Sequence, residues 1–257
     1  MSKKFVFGAA VAAFVPVQSA SAAVAPLTIS GFNQDVVVDN VATLNTNVQG
    51  FVTATMDDGT AKTGGTWYQT GLVAASPTTG LPTGTTQSSA TGNGTFALAS
   101  ASGPNALLLN NATPTGTLTL TSPVPLNQVA FYDATGNGNG TINYLIHFVG
   151  GATEGGSFTS GDWFNNSPTA LNANGRINNT VNGTTDNVNA GNPRIYEHLF
   201  GVANTSAAVQ SIDFTRAAAN GNTSILAVSG AQVPEPGSIA ALGVAATASL
   251  IRRRRTR

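Results

Sequence analysis

His147, inside the run TINYLIHFVG, and His198, next to Glu197, are the two histidines of this 257-residue chain. An imidazole acts as a general base or binds zinc when further His, Asp or Glu side chains stand at defined spacing. No HExxH, no GxSxG and no supported Ser/His/Asp order accompanies either residue. Asp57, Asp58, Asp133, Glu154, Asp162, Asp186, Glu197 and Asp213 could in principle supply the two carboxylates of a glycosidase. Acidic residues at turns and strand ends more often cap backbone and face water. The sequence therefore points to a non-enzymatic protein, with a polysaccharide-active hydrolase as the remote alternative. Asp133, Asn137 and Asn139 sit in DATGNGNG, where oxygen side chains alternate with small residues as they do in calcium loops. The stretch lacks the bidentate Glu of an EF-hand, and the same residues read equally as a hairpin loop with Asn-Gly turns. Structural calcium stays open, and no other cofactor is expected. Trp67 and Trp163 could stack sugar rings, since each belongs to an adjacent aromatic pair, Trp67-Tyr68 and Trp163-Phe164. In a strand, one member of each pair faces each side.

What must position these residues is β-structure. GTLTLTS (116–122) alternates strictly, and TINYLIHFVG (141–150) puts Ile142, Tyr144, Ile146 and Phe148 on one face. Further runs of β-formers are separated by Asp-Gly and Asn-Gly turns, and no helical stripe appears before residue 238. The expected fold is all-β, a single antiparallel β-sandwich over 23–232. The stretches 74–92 and 172–192, poor in large apolar residues, are expected as long surface loops. Charged residues are 9% of the chain, and there is no cysteine. Disulfides and thiolate chemistry are excluded. Residues 23–233 hold four basic and ten acidic side chains, a formal charge of −6. A domain of that sign lacks the footprint of a nucleic-acid binder.

The two ends carry a different message. Lys3 and Lys4, the apolar run from Phe5 to Val15 and the small residues Ala20-Ser21-Ala22 have the order of a secretory signal, 1–22, cut by signal peptidase after Ala22. The segment 233–257 has three parts: Val233-Pro234-Glu235-Pro236, an uncharged run at 238–251, and a tail at 252–257 with Arg252, Arg253, Arg254 and Arg255. As a helix, the uncharged run would rise about 21 Å, short of a bilayer core of about 30 Å. The arginines favour the cytoplasmic side, and Lys3 and Lys4 start there too.

Pro234, Glu235 and Pro236, followed by a short apolar helix and a basic cluster, resemble the PEP-CTERM sorting signal of certain Gram-negative bacteria. The resemblance implies recognition by a membrane-embedded exosortase and cleavage near the motif. It further implies transient inner-membrane association and delivery to the cell surface or an extracellular matrix, in bacteria that make exopolysaccharide. A second resemblance is spread over GFNQDVVVDN (31–40), DWF (162–164), PRIYE (193–197) and SILAVSG (224–230). It implies a jelly-roll similar to carbohydrate-binding or galactose-binding-like modules, with extracellular polysaccharide as a partner to test.

Overall fold

A computed structural model describes residues 22–40, 51–59, 63–72, 79–164, 169–178, 184–186, 192–219 and 221–233. Within them the chain is all-β, with large antiparallel sheets. Sixteen strands follow one another: β1 Ala25–Pro26, β2 Ile29–Ser30, β3 Val37–Val38, β4 Gly65–Tyr68, β5 Thr86–Ser88, β6 Thr95–Ala97, β7 Leu107–Leu109 and β8 Thr115–Gly136, then β9 Gly140–Phe148, β10 Thr153–Ser160, β11 Leu171–Asn172, β12 Arg176–Asn178, β13 Thr184–Asp186, β14 Arg194–Gly201, β15 Ala208–Ala219 and β16 Asn222–Gln232.

The 22-residue β8 organises the rest. Its first half pairs with β2 and β15, and its second half with β14 and β16. One sheet therefore runs β2-β8-β15-β9-β10 and the other β1-β16-β8-β14, with β8 common to both. Leu118 and Leu120 from the first half meet Val129 and Phe131 from the second in one apolar cluster, with Ile142, Ile146, Ile212, Phe214, Ile225 and Val228. The two sheets thus share a core. The sheet containing β16 is also covered on its other face, where Tyr132, Ala134, Leu226 and Ala227 pack with Trp67, Phe96, Leu81 and Trp163. Residues Thr223 to Ala231 are all buried. A strand covered on both faces needs no polar alternation, which explains the continuous run SILAVSG.

Two expected loops are partly structured. Thr79 and Leu81 are buried, and β5 and β6 form a hairpin within and just after 74–92. Within 172–192, β12 joins β4 and β13, and Ile177 is buried. Neither stretch is apolar enough to announce this. A few large side chains and the sheet ladder suffice.

Candidate functional site

Asp133, Asn137 and Asn139 do not converge. Asp133 lies within β8, where it is wholly buried between Tyr196 of β14 and Ile225 of β16. Asn137 and Asn139 occupy the turn beyond the strand end. Asn137 has a left-handed φ of 60° and donates to the Asp57 carbonyl. Asn139 Oδ1 accepts from the Asp162 backbone N–H at 2.9 Å, and Asp162 Oδ2 accepts from the Gly138 N–H at 2.6 Å. Asn139 Oδ1 and Asp162 Oδ2 thus tie 138–139 to 162, while Asn137 engages Asp57 through its amide nitrogen. The three residues proposed as one calcium loop are set apart because β8 ends at Gly136: Asp133 lies inside the strand, and Asn137 and Asn139 lie in the hairpin turn beyond it. Among the described residues no three His, Asp or Glu side chains are grouped to hold a metal.

Asp133 instead faces His198, whose Nε2 is 3.3 Å from Asp133 Oδ2. The register places His198 beside Phe131, on the face that looks into the shared core, and its ring stacks on Phe158 with centroids 4.4 Å apart. Burial works against a charge on His198. Asp133, with a smaller contribution from Glu197, outweighs it and holds the imidazole pKa above its ordinary value. Nearby, Thr135 donates to Ser160 at 2.8 Å and shares a hydrogen bond with Thr223, all three buried. Thr135, Ser160 and Thr223 thus form a polar seam inside the protein, with their hydroxyls facing one another.

His147 lies on the opposite, outward face of the β2-β8-β15-β9-β10 sheet. Its Nε2 is 2.7 Å from Asp213 Oδ2, and Thr117 donates to Asp213 Oδ1 at 2.6 Å. Burial raises the Asp213 pKa, but the bonds from Thr117 and His147 outweigh it and leave the carboxyl below its usual range. Around this pair the outward side chains are Thr28, Ser30, Thr115, Thr119, Ser157 and Thr159, with Leu145 and Val149 as exposed apolar exceptions. No aromatic side chain stands in this row.

The tryptophans are inside. Trp67 and Trp163 are 0% and 2% exposed and meet edge to face, with ring centroids 5.0 Å apart. Arg176 lies over Trp163 and Phe164 and pairs with Asp57. Tyr68, which alternation would turn outward opposite Trp67, is buried as well and donates to Thr79 at 2.7 Å. Trp67, on β4, and Trp163, in the turn after β10, pack into the same buried cluster, so neither presents the stacking face expected of it. Four further carboxylates are also engaged. Asp35 is bonded by Asn105 and Val37, Asp58 by Thr63, Glu154 by the Ala203 and Asn204 amides, and Glu197 by Thr91 and Asn93. A cleft of about 370 Å³ opens between Pro26–Thr28, Leu120–Val124 and Gln232, with no carboxylate and no aromatic in its lining.

No protein-family model matches this chain, and no curated protein is detectably similar to it. The functional reading therefore rests on the residues themselves. Pro234, Glu235, Pro236 and Arg252–Arg255 lie outside the described residues, as does the run 238–251. Ala22 is described and exposed. Sequence reasoning missed both His–Asp pairs. The outward alternation of His147 and Asp213 was readable, but that β9 lies beside β15 is a property of topology.

Proposed function

We propose that this is an exported, non-catalytic protein of the cell surface or extracellular matrix. In this reading its β-sandwich is of jelly-roll or galactose-binding-like type, and an exosortase removes the PEP-CTERM signal. The observation that carries the proposal is the pairing of the domain's two ends. Ala25 lies opposite Gly230 and Pro26 opposite Ser229 in an antiparallel ladder. The first and last described strands therefore lie side by side, with the N-terminal end of β1 beside the C-terminal end of β16. Neighbouring ends suit a domain whose two processing segments both carry basic residues for the same membrane face. The engagement of Asp58, Glu154, Asp162 and Glu197 in turn and loop bonds supports a structural rather than a hydrolytic role for these four.

Mass spectrometry of the protein from its host should find an N-terminus at Ala23 and a C-terminus near Pro234. Glu235→Ala should leave the uncleaved form in the inner membrane. Recovery of intact Arg257 in the surface fraction would sink the sorting reading. A second reading, a carbohydrate-binding module for secreted polysaccharide, draws support from the hydroxyl-rich outward sheet face. It would have to work by hydrogen bonding without aromatic stacking. A glycan array with the purified protein tests it, and silence at high protein concentration would dismiss it.

A further inference from the structure

Strand β10 ends its sheet, and among the described residues it pairs only with β9. The ladder is unbroken from Thr153 opposite His147 to Ser160 opposite Gly140. Its phase is set by the adjoining turn, where the Phe148 N–H donates to the Ala152 carbonyl at 2.9 Å. In an antiparallel pair, hydrogen-bonded and non-hydrogen-bonded positions alternate. Glu154, Gly156, Phe158 and Ser160 therefore turn their backbone groups toward β9. Thr153, Gly155, Ser157 and Thr159 turn theirs away from the sheet, and all four residues are exposed.

Exposed edges invite pairing, and proteins usually blunt them with lysine, proline, bulges or shortness. β10 has none of these: it is eight residues long, TEGGSFTS, with an even register. The other edge of the same sheet is the two-residue β2. The one charge on β10, Glu154, is bound by the amides of Ala203 and Asn204 at 3.0 and 3.3 Å.

We propose that β10 is an association edge, pairing antiparallel with β10 of a second copy of this chain to make one continuous sheet. A foreign peptide added to an edge is selected by pockets for its alternate side chains. The outward-pairing residues here are Thr153, Gly155, Ser157 and Thr159, too small to build such pockets. The same smallness suits a two-fold contact with the strand's own copy, in which the same patch serves both sides. Two domains of like negative charge would meet along a strip that sets no like charges opposite each other. The contact is small compared with a standard interface, so the association is concentration-dependent. This inference does not depend on the sorting reading.

The absence of cysteine gives the test. Ser157→Cys and, separately, Thr119→Cys are introduced into the full chain, purified in detergent and mildly oxidised. Thr119 is exposed on the same outward face but three strands in from β10, about 14 Å from the edge. Ser157→Cys should give a disulfide-linked dimer and Thr119→Cys should not. Adding Thr159→Pro to Ser157→Cys removes an outward N–H that β9 does not use, and the cross-link should disappear while the circular dichroism stays native. Ser157→Lys, which leaves the backbone intact, should shift sedimentation of the cysteine-free chain from dimer to monomer. Equal cross-linking at both positions or at neither overturns the proposal. So does a cross-link that survives Thr159→Pro in a folded chain, or sedimentation unchanged by Ser157→Lys.

Discussion

The Asp133 carboxyl group has no exposure to solvent, and His198 Nε2 lies 3.3 Å from it on the neighbouring strand. Neither Asp133 oxygen has a hydrogen-bonding partner of good geometry. Removing the imidazole leaves a buried charge uncompensated, which typically costs about 3 kcal/mol or more. His198→Ala should lower the unfolding free energy by that amount, read as a lower urea midpoint with the slope unchanged. A loss below about 1 kcal/mol would mean that the pair is not held together as described.

The same pair sets a pH dependence. The His198 pKa is raised in the folded state, so the folded chain holds this proton more tightly than the unfolded one. Its stabilisation is fully present below the ordinary histidine value of about 6.5 and is lost as pH rises through the folded value. Melting temperatures of the parent should fall across that window, and those of His198→Ala should fall less. Identical slopes would remove His198 as the cause.

Asp35 gives a second window, on the acid side. Burial pushes its carboxyl pKa up to about 6, against the lowering effect of bonds from Asn105 and Val37. A carboxyl with a raised folded pKa favours the native state at low pH, and that advantage fades between about pH 4 and pH 6. Asp35→Asn keeps an oxygen for the Val37 N–H and the Asn105 amide, both of which bind Oδ1. The variant should match or exceed the parent at pH 7 and lose the acid-side slope. A variant much weaker than the parent at pH 7 would show that the charge itself is needed.

These groups also mark where sequence legibility stops. The alternation in 141–148 translates directly into β9, because one face is buried and the other open. Strand β8 reads as two strands, since Pro123 and Pro125 interrupt it. The structure keeps both prolines where the strand passes from one sheet to the other, with Pro125 opposite Ala208 and Leu126 opposite Gln232. A missing N–H costs little at such a crossing. The placement of Asp133, Thr135 and Thr223 inside the core follows from which strands flank β8, and local sequence carries no signal of that. The same holds for Trp67 and Tyr68, since period-two alternation assumes one open face.

The buried tryptophans should be visible in solution. Trp67 and Trp163 should emit at short wavelength and resist acrylamide quenching, and no glycan should change either property. Trp67→Ala opens a large cavity beside Trp163 and should cost about 3–5 kcal/mol. Trp67→Phe should cost less, because the indole N–H it removes has no acceptor. Quenching of native fluorescence by an added oligosaccharide would restore a surface role for these rings.

Gly31, the first residue of GFNQDVVVDN, explains a stretch that has no chemistry of its own. Its φ is +109°, and a Cβ there would lie 2.2 Å from the Thr117 carbonyl oxygen. The chain must pass this close to β8 for Asn33 to receive the Leu108 N–H at 2.8 Å and to donate to the Leu108 carbonyl at 3.1 Å. Asp35 then reaches Asn105 one step further along. Gly31→Ala combines backbone strain with a clash against main chain that cannot rotate aside, so a loss of about 2 kcal/mol is expected. Gly84, at φ +71° with open space where a Cβ would go, is the control. Gly84→Ala carries the strain without the clash and should lose clearly less in the same denaturation series. Equal losses would show that the close approach to Thr117 is not what requires glycine at position 31.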